Sequence, residues 1–244
     1  MKQNAPLQTA GCSYKIPKSV RAVLFDAVGT LIVPSPPVAE AYLAAGRQFG
    51  SQLTIEEVRQ RFRDAFGRQE RWDASQGERT SEQRERQRWQ SIVAEVFHEA
   101  TEQRELFEML WAHFARPEHW QFFDDVPPMW AKLRTSGLQL GIASNFDARL
   151  QVIIAGLPIL SQANWLFVSS QVGCRKPDAR FFQTIEHSLA LSPEQLLLVG
   201  DDLENDYRGA RTAGWHAVLL ARSGVAPLEV EHWITSLDDL NIAS

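Results

Sequence analysis

Five short apolar runs constrain this chain more than any other feature. They are VRAVLF at 20–25, LQLGIA at 138–143, WLFV at 165–168, LLLV at 196–199 and AVLL at 217–220. The runs are continuous rather than alternating, the pattern of strands buried on both faces of a parallel sheet. Helix-length stretches fill the later gaps, at 128–135 closed by Gly137, at 178–191, and at 205–213 closed by Gly214. Strand and helix alternating through short connections predict an α/β protein with a doubly wound parallel sheet.

The first gap is different, with more than a hundred residues between its flanking strands. Pro34-Ser35-Pro36-Pro37 breaks the pattern at its start. Val38, Tyr42, Ala45 and Phe49 then follow a helical period. Thr54-Ile55-Glu56-Glu57 has capping-box spacing ahead of Val58, Phe62 and Phe66. Further helices are expected over 82–97 and 102–115, the second with Leu106, Phe107, Leu110, Trp111 and Phe114 on one broad face. The reading is an all-helical insertion over 34–116, a core made of 19–33 and 117–244, and a mobile leader over 1–18. The charge-dense stretch at 78–88, ERTSEQRERQR, mixes both signs and reads as a solvated helix face rather than a nucleic-acid site. Trp72, Trp89 and Trp111 read as insertion core.

The net charge of −5 gives no electrostatic reason to expect nucleic acid or an anionic membrane as partner. No apolar stretch reaches membrane-spanning length, and the polar start lacks the apolar region of a signal peptide or lipid-attachment signal. Cys12 and Cys174 lack metal-ligand spacing and read as incidental thiols. A soluble, cytoplasmic protein is the expectation. Nothing in the pattern indicates an oligomeric state.

Polar residues gather where four of the strands end, the edge at which open α/β sheets bind ligands. The first strand leads into Asp26-Ala27-Val28-Gly29-Thr30, a carboxylate followed by a flexible turn and a hydroxyl. Ser144-Asn145 follows the second and offers hydrogen bonds to phosphate oxygens, or a helix cap. Lys176-Pro177-Asp178 follows the third, with an ammonium that would offset anionic charge. Gly200-Asp201-Asp202-Leu203-Glu204-Asn205-Asp206 follows the fourth. Carboxylates crowded at one strand end repel unless a cation joins them, and Mg²⁺ suits oxygen ligands beside phosphate.

These four motifs, FDAVGT, SNFD, KPD and GDDLEND, in this order, resemble those of the haloacid dehalogenase superfamily over about residues 19–240. SNFDARL with the Trp-containing insertion segments resembles the branch named after a rhythmically expressed insect gene. The resemblance implies a Rossmann-like core whose helical insertion is a cap closing over the sheet edge. It implies Asp26 as nucleophile and Mg²⁺ ligand, with the Val28 carbonyl, Asp201 and Asp206 completing the metal site, Asp206 through water. It implies Ser144, Asn145 and Lys176 around the transferring phosphoryl group; the Thr30 hydroxyl is a further candidate for phosphate, and a small phosphorylated metabolite is the expected partner. The role of Asp202 stays open.

One position departs from the pattern. The superfamily's phosphatases carry a second Asp, as acid and base, where this chain has Val28. General acid–base help of that kind is worth roughly 10²–10⁴-fold. Three readings follow: a phosphatase restricted to acidic leaving groups or using a cap acid such as Glu56, Glu57 or a histidine; a non-catalytic phosphate-binding protein; or a carbon–halogen hydrolase. Relatives that cleave a carbon–phosphorus bond need a cap lysine, and there is none between Lys18 and Lys132.

Overall fold

The structure is a computed structural model describing residues 7–9 and 13–243. Strands β1 (Leu7–Gln8), β2 (Tyr14–Ile16), β3 (Ala22–Phe25) and β4 (Ile32–Pro34) come first. Four helices follow: α1 (Val38–Gln48), α2 (Ile55–Ser75), α3 (Glu82–Val96) and α4 (Gln103–His113). Then come β5 (Trp120–Phe122), α5 (Val126–Thr135), β6 (Gln139–Ser144), α6 (Arg149–Ala155), β7 (Trp165–Val168), α7 (Ser169–Val172) and α8 (Ala179–Leu189). The chain closes with β8 (Leu196–Gly200), α9 (Gly209–Thr212), β9 (His216–Leu220), β10 (Ala226–Pro227), β11 (Trp233–Ile234) and β12 (Leu240–Ile242).

Six strands form one sheet in the order β11-β9-β8-β3-β6-β7, with every neighbouring pair parallel. β3 lies centrally and is buried on both faces. Its side chains alternate: Val23 and Phe25 join one core with Ile142 and Val199, while Ala22 and Leu24 join the other with Ala143 and Leu198. This two-residue period makes a continuous apolar run the requirement for a strand covered on both sides. Trp130 and Leu133 of α5 and Ile153 of α6 cover the first face; Phe181, Phe182 and Ile185 of α8 cover the second. Each such side chain contributes about 1.5–3 kcal/mol by leaving water.

Helices α1–α4 build a separate apolar cluster around Tyr42, Val58, Ile92, Phe97 and Leu106. Its two links to the core run side by side, because β4 pairs antiparallel with β5, Ile32 opposite Phe122 and Pro34 opposite Trp120. That ribbon is all the chain needs to carry a lid over the sheet edge.

The described part of the expected leader is built into the fold. β2 pairs with β12, and Tyr14 and Ile16 are buried; β1 pairs with β10. Two apolar residues flanking Lys15 are too short an alternation to stand out in a sequence. Cys12 lies outside the described residues, and Cys174 is a buried free thiol. No helix among the described residues is long and apolar enough to cross a membrane.

Candidate active site

The parallel sheet brings the four motifs to one edge, at the carboxyl ends of β3, β6, β7 and β8. Asp26 is anchored where β3 ends, its N–H donating to the Val199 carbonyl at 2.9 Å. The turn after it needs Gly29, whose φ is +90°. A Cβ there would also collide with the Asp201 carboxylate.

Lys176 is the hub. Its fully buried ammonium donates to Asp26 Oδ1 at 2.9 Å, to Asp206 Oδ1 at 2.5 Å and to the Ala143 carbonyl at 2.7 Å. Burial pushes an ammonium pKa down, but Asp206 and Asp26 more than offset it, so the pKa of Lys176 is raised. It stays charged.

Asp26, Asp201 and Asp206 each place one oxygen within 4.8 Å of the others. Burial, then the charge of Asp26, pushes the Asp201 carboxyl up to about 6. Asp201 keeps a solvent-open edge, which moderates the effect of burial. Asp206 is also raised, by burial first, although Lys176 pulls it back. Three carboxylates face one ammonium, an excess of two negative charges once all three are ionised. A hard divalent cation with oxygen ligands fits that donor set.

Other expected residues take different places. Thr30 is buried and does not line the site; its hydroxyl donates to Asp201 Oδ1 at 3.1 Å and so orients that carboxylate. Asn145 accepts from the Lys176 N–H at 2.8 Å and donates to the Lys176 carbonyl at 2.9 Å, joining two motifs and leaving one amide N–H free. Asp202 caps the π-helical turn Leu203–Arg208 by accepting from the Glu204 and Asn205 N–H groups. Its own N–H donates to Asp206 Oδ2 at 3.0 Å.

A cavity of about 270 Å³ lies over this edge, lined by Asp26, Val28, Ser144, Asn145, Lys176, Asp201 and Asp206 on the core side. Phe66, Glu70, Glu85, Arg88 and Trp89 line it from the cap. Glu56 and Glu57 do not: both lie in the first turn of α2, Glu57 serving the Thr54 capping box. No histidine lines the cavity either. The expectation of a cap acid among those residues is therefore corrected. Trp72 is half exposed under the Arg84 guanidinium, not core, whereas Trp89 reaches the cavity.

The charged stretch at 78–88 is a solvated face only in part: Arg79, Glu82 and Gln83 are exposed. Glu85 and Arg88 are buried, and with Glu70 and Asp73 of α2 they surround Arg175 of the core. Arg175 donates to Glu70 at 2.8 Å and to Glu85 at 3.2 Å. The buried charges of the stretch belong to an ion network between cap and core, immediately before Lys176. Arg222 was equally invisible. It pairs with Asp125 at 2.9 Å and donates to the Thr30 carbonyl at 2.8 Å, fixing the turn after Asp26. Both arginines find their partners across 90 residues or more, and no local spacing announces that.

The motif residues converge on one cavity, and comparison with known proteins agrees. A model of the haloacid dehalogenase-like hydrolases matches residues 20–214. The chain belongs to this family. Haloacid dehalogenase-like hydrolase domain-containing protein 3 of Homo sapiens is 31% identical over 206 residues, 82% of each chain. The Rhythmically expressed gene 2 protein of Drosophila melanogaster is 25% identical over 222 residues, 85% of each, in keeping with the branch read from the sequence. A phosphoserine phosphatase of Thermus thermophilus is 32% identical over 145 residues, 56% of this chain and 57% of that protein. Among solved structures, a magnesium-bound hydrolase of the same family from Bacillus subtilis aligns with a TM-score of 0.70 at 17% identity, over 90% of this chain and 96% of that one. An L-2-haloacid dehalogenase of Xanthobacter autotrophicus aligns at 0.66 and 19%, over the same shares. At such identities these two establish the fold alone.

Proposed function

We propose that this family member is a Mg²⁺-dependent phosphatase that works without a built-in general acid. The observation that carries the reading is the excess charge at the sheet edge, three carboxylates against one buried ammonium. Asp26, the Val28 carbonyl, Asp201 and Asp206 would hold the metal, which when bound screens the phosphoryl oxygens from the carboxylates. Asp26 attacks phosphorus, a new O–P bond forms, and the bond to the leaving oxygen breaks with its electron pair on that oxygen. Lys176 keeps its charge and stabilises the transferring group; the Ser144 hydroxyl and the spare Asn145 amide N–H lie on the same wall. Water then attacks the aspartyl phosphate and releases inorganic phosphate.

Val28 has no proton to give, so the leaving oxygen departs as an anion. Small phosphorylated metabolites with acidic leaving groups, aryl or acyl phosphates, suit such a site best. The acid trio speaks against carbon–halogen cleavage, because it repels a haloacid's carboxylate unless a cation intervenes. The phosphoserine phosphatase relative supports phosphatase chemistry in general, not the preference for acidic leaving groups. The test is Mg²⁺-dependent phosphate release from aryl, acyl and alkyl phosphates, with Asp26→Asn as control. Release from the first two, lost in the control, is the expected result. Activity that survives the substitution would overturn the reading, and phosphate binding without any turnover would identify a binding protein.

A further inference from the structure

The cavity has two kinds of lining. One is charged and includes Asp26; the other is aromatic and aliphatic. Phe66 and Trp89 of the cap, with Phe114, Trp120, Phe146 and Val28, make up the second. The rings are arranged edge to face or tilted: Phe66 and Trp89 are 6.2 Å apart between centroids, Trp120 and Phe146 6.0 Å, Phe114 and Trp120 6.3 Å. Such a wall gains from an aromatic guest beyond simple area burial.

Three arginines also line the cavity, and all are matched. Arg149 makes a two-point pair with Asp147, both bonds at 2.7 Å, and its guanidinium lies 3.5 Å from the centroid of the Trp111 ring. Arg175 and Arg88 pair with Glu70 and Glu85. The Nε–H groups of Arg88 and Arg175 lack hydrogen-bond acceptors, yet lie 3.4 Å from Asp73 and 4.0 Å from Glu78 respectively. A second anionic group on a substrate would find no uncompensated cation among the described lining residues, and burying it there would be costly.

Size is compatible with an aromatic guest. A cavity of about 150 Å³ takes benzene, and the roughly 270 Å³ here, partly open to solvent, admit a phosphoryl group and one ring. We infer that the substrate is a phosphate monoester of a small, uncharged aromatic alcohol, its ring held against the aromatic lining to which Trp89 and Phe146 belong. This rests on the phosphatase reading, and it explains how Val28 is tolerated: an aryl oxide is a weak enough base to leave unprotonated, and Val28 is part of that apolar lining.

The experiment has a binding arm and a turnover arm. Calorimetry with Mg²⁺ should show phenylphosphonate binding at least tenfold more tightly than methylphosphonate, and the preference shrinking in Trp89→Leu. Phosphate release should favour phenyl phosphate over 4-carboxyphenyl phosphate by tenfold or more in kcat/KM, although both leave as comparable phenoxides. Equal affinity for the two phosphonates, or equal turnover of the two esters, overturns the inference. A phosphonate preference with no phosphate release from any ester would leave ring recognition standing and remove the phosphatase reading alone. Trp89 packs within the cap, so the wild-type comparisons decide the matter even if its variant unfolds.

Discussion

Val28 lines the cavity next to Asp26 and packs partly against the core below it. An Asp there would sit among Asp26 and Asp201, whose charges would keep it protonated to a higher pH than usual and so able to donate. Val28→Asp should raise kcat on an alkyl phosphate by about 10²-fold, within the range general acid catalysis supplies. Stopped assays of wild type and variant on one alkyl and one aryl phosphate would show it, the aryl substrate gaining far less. An unchanged alkyl rate would mean the missing proton is not what limits turnover. At this scale Asp26 and Asp201 were legible because they stand where apolar runs end, and Lys176 and Asp206 because they lie in the segments that follow such runs. Thr30 was not: its hydroxyl was expected on phosphate but orients Asp201, 171 residues away. Its partner is chosen by the sheet's strand order, which spacing does not carry.

At the scale of elements, patterns repeated along the chain predicted well. The capping box read at Thr54 and Glu57 forms in full, with Thr54 accepting from the Glu57 N–H and the Glu57 carboxylate accepting from the Thr54 N–H at 2.7 Å. Thr54→Ala should cost about 1 kcal/mol, measured as a lower midpoint in urea unfolding with an unchanged slope; no shift would mean the start of α2 contributes nothing to global stability. Strands β3, β6, β7, β8 and β9 follow their apolar runs to within two residues at either end. The two- and three-residue strands at the chain's ends escaped notice, since so few residues carry no measurable period. α3 is solvated on one face, as alternating charges suggest, while Glu85 on its buried face meets Arg175 in the contact between cap and core.

For the whole molecule, the proposed cation and the fold would be linked through pH. Asp201 is raised from 3.8 to about 6, by burial and then by Asp26. A carboxyl raised on folding disfavours its ionised form in the folded protein, so without metal this group's contribution to stability falls between pH 3.8 and about 6 and is flat above. A bound Mg²⁺ requires the ionised form, so its affinity falls as pH drops through about 6. The rise in melting temperature on adding Mg²⁺ should therefore be clearly larger at pH 7.5 than at pH 5. Equal increments at both would show that these carboxylates do not hold the ion.

The sequence by itself determined the α/β core, the helical insertion, the family and the four strand-end motifs. These are written in local periods and short spacings, where hydrophobic burial and turn chemistry act between near neighbours. Only the tertiary structure decided which polar groups pair: Thr30 with Asp201, Arg222 with Asp125, and Arg175 with the buried acids of the cap. It also decided that Trp89 and Phe146 share a cavity with Asp26. Partners far apart in the chain meet because a parallel sheet sets their strands side by side and a lid folds back over its edge, and desolvation there makes an unmatched charge too costly to leave unpaired.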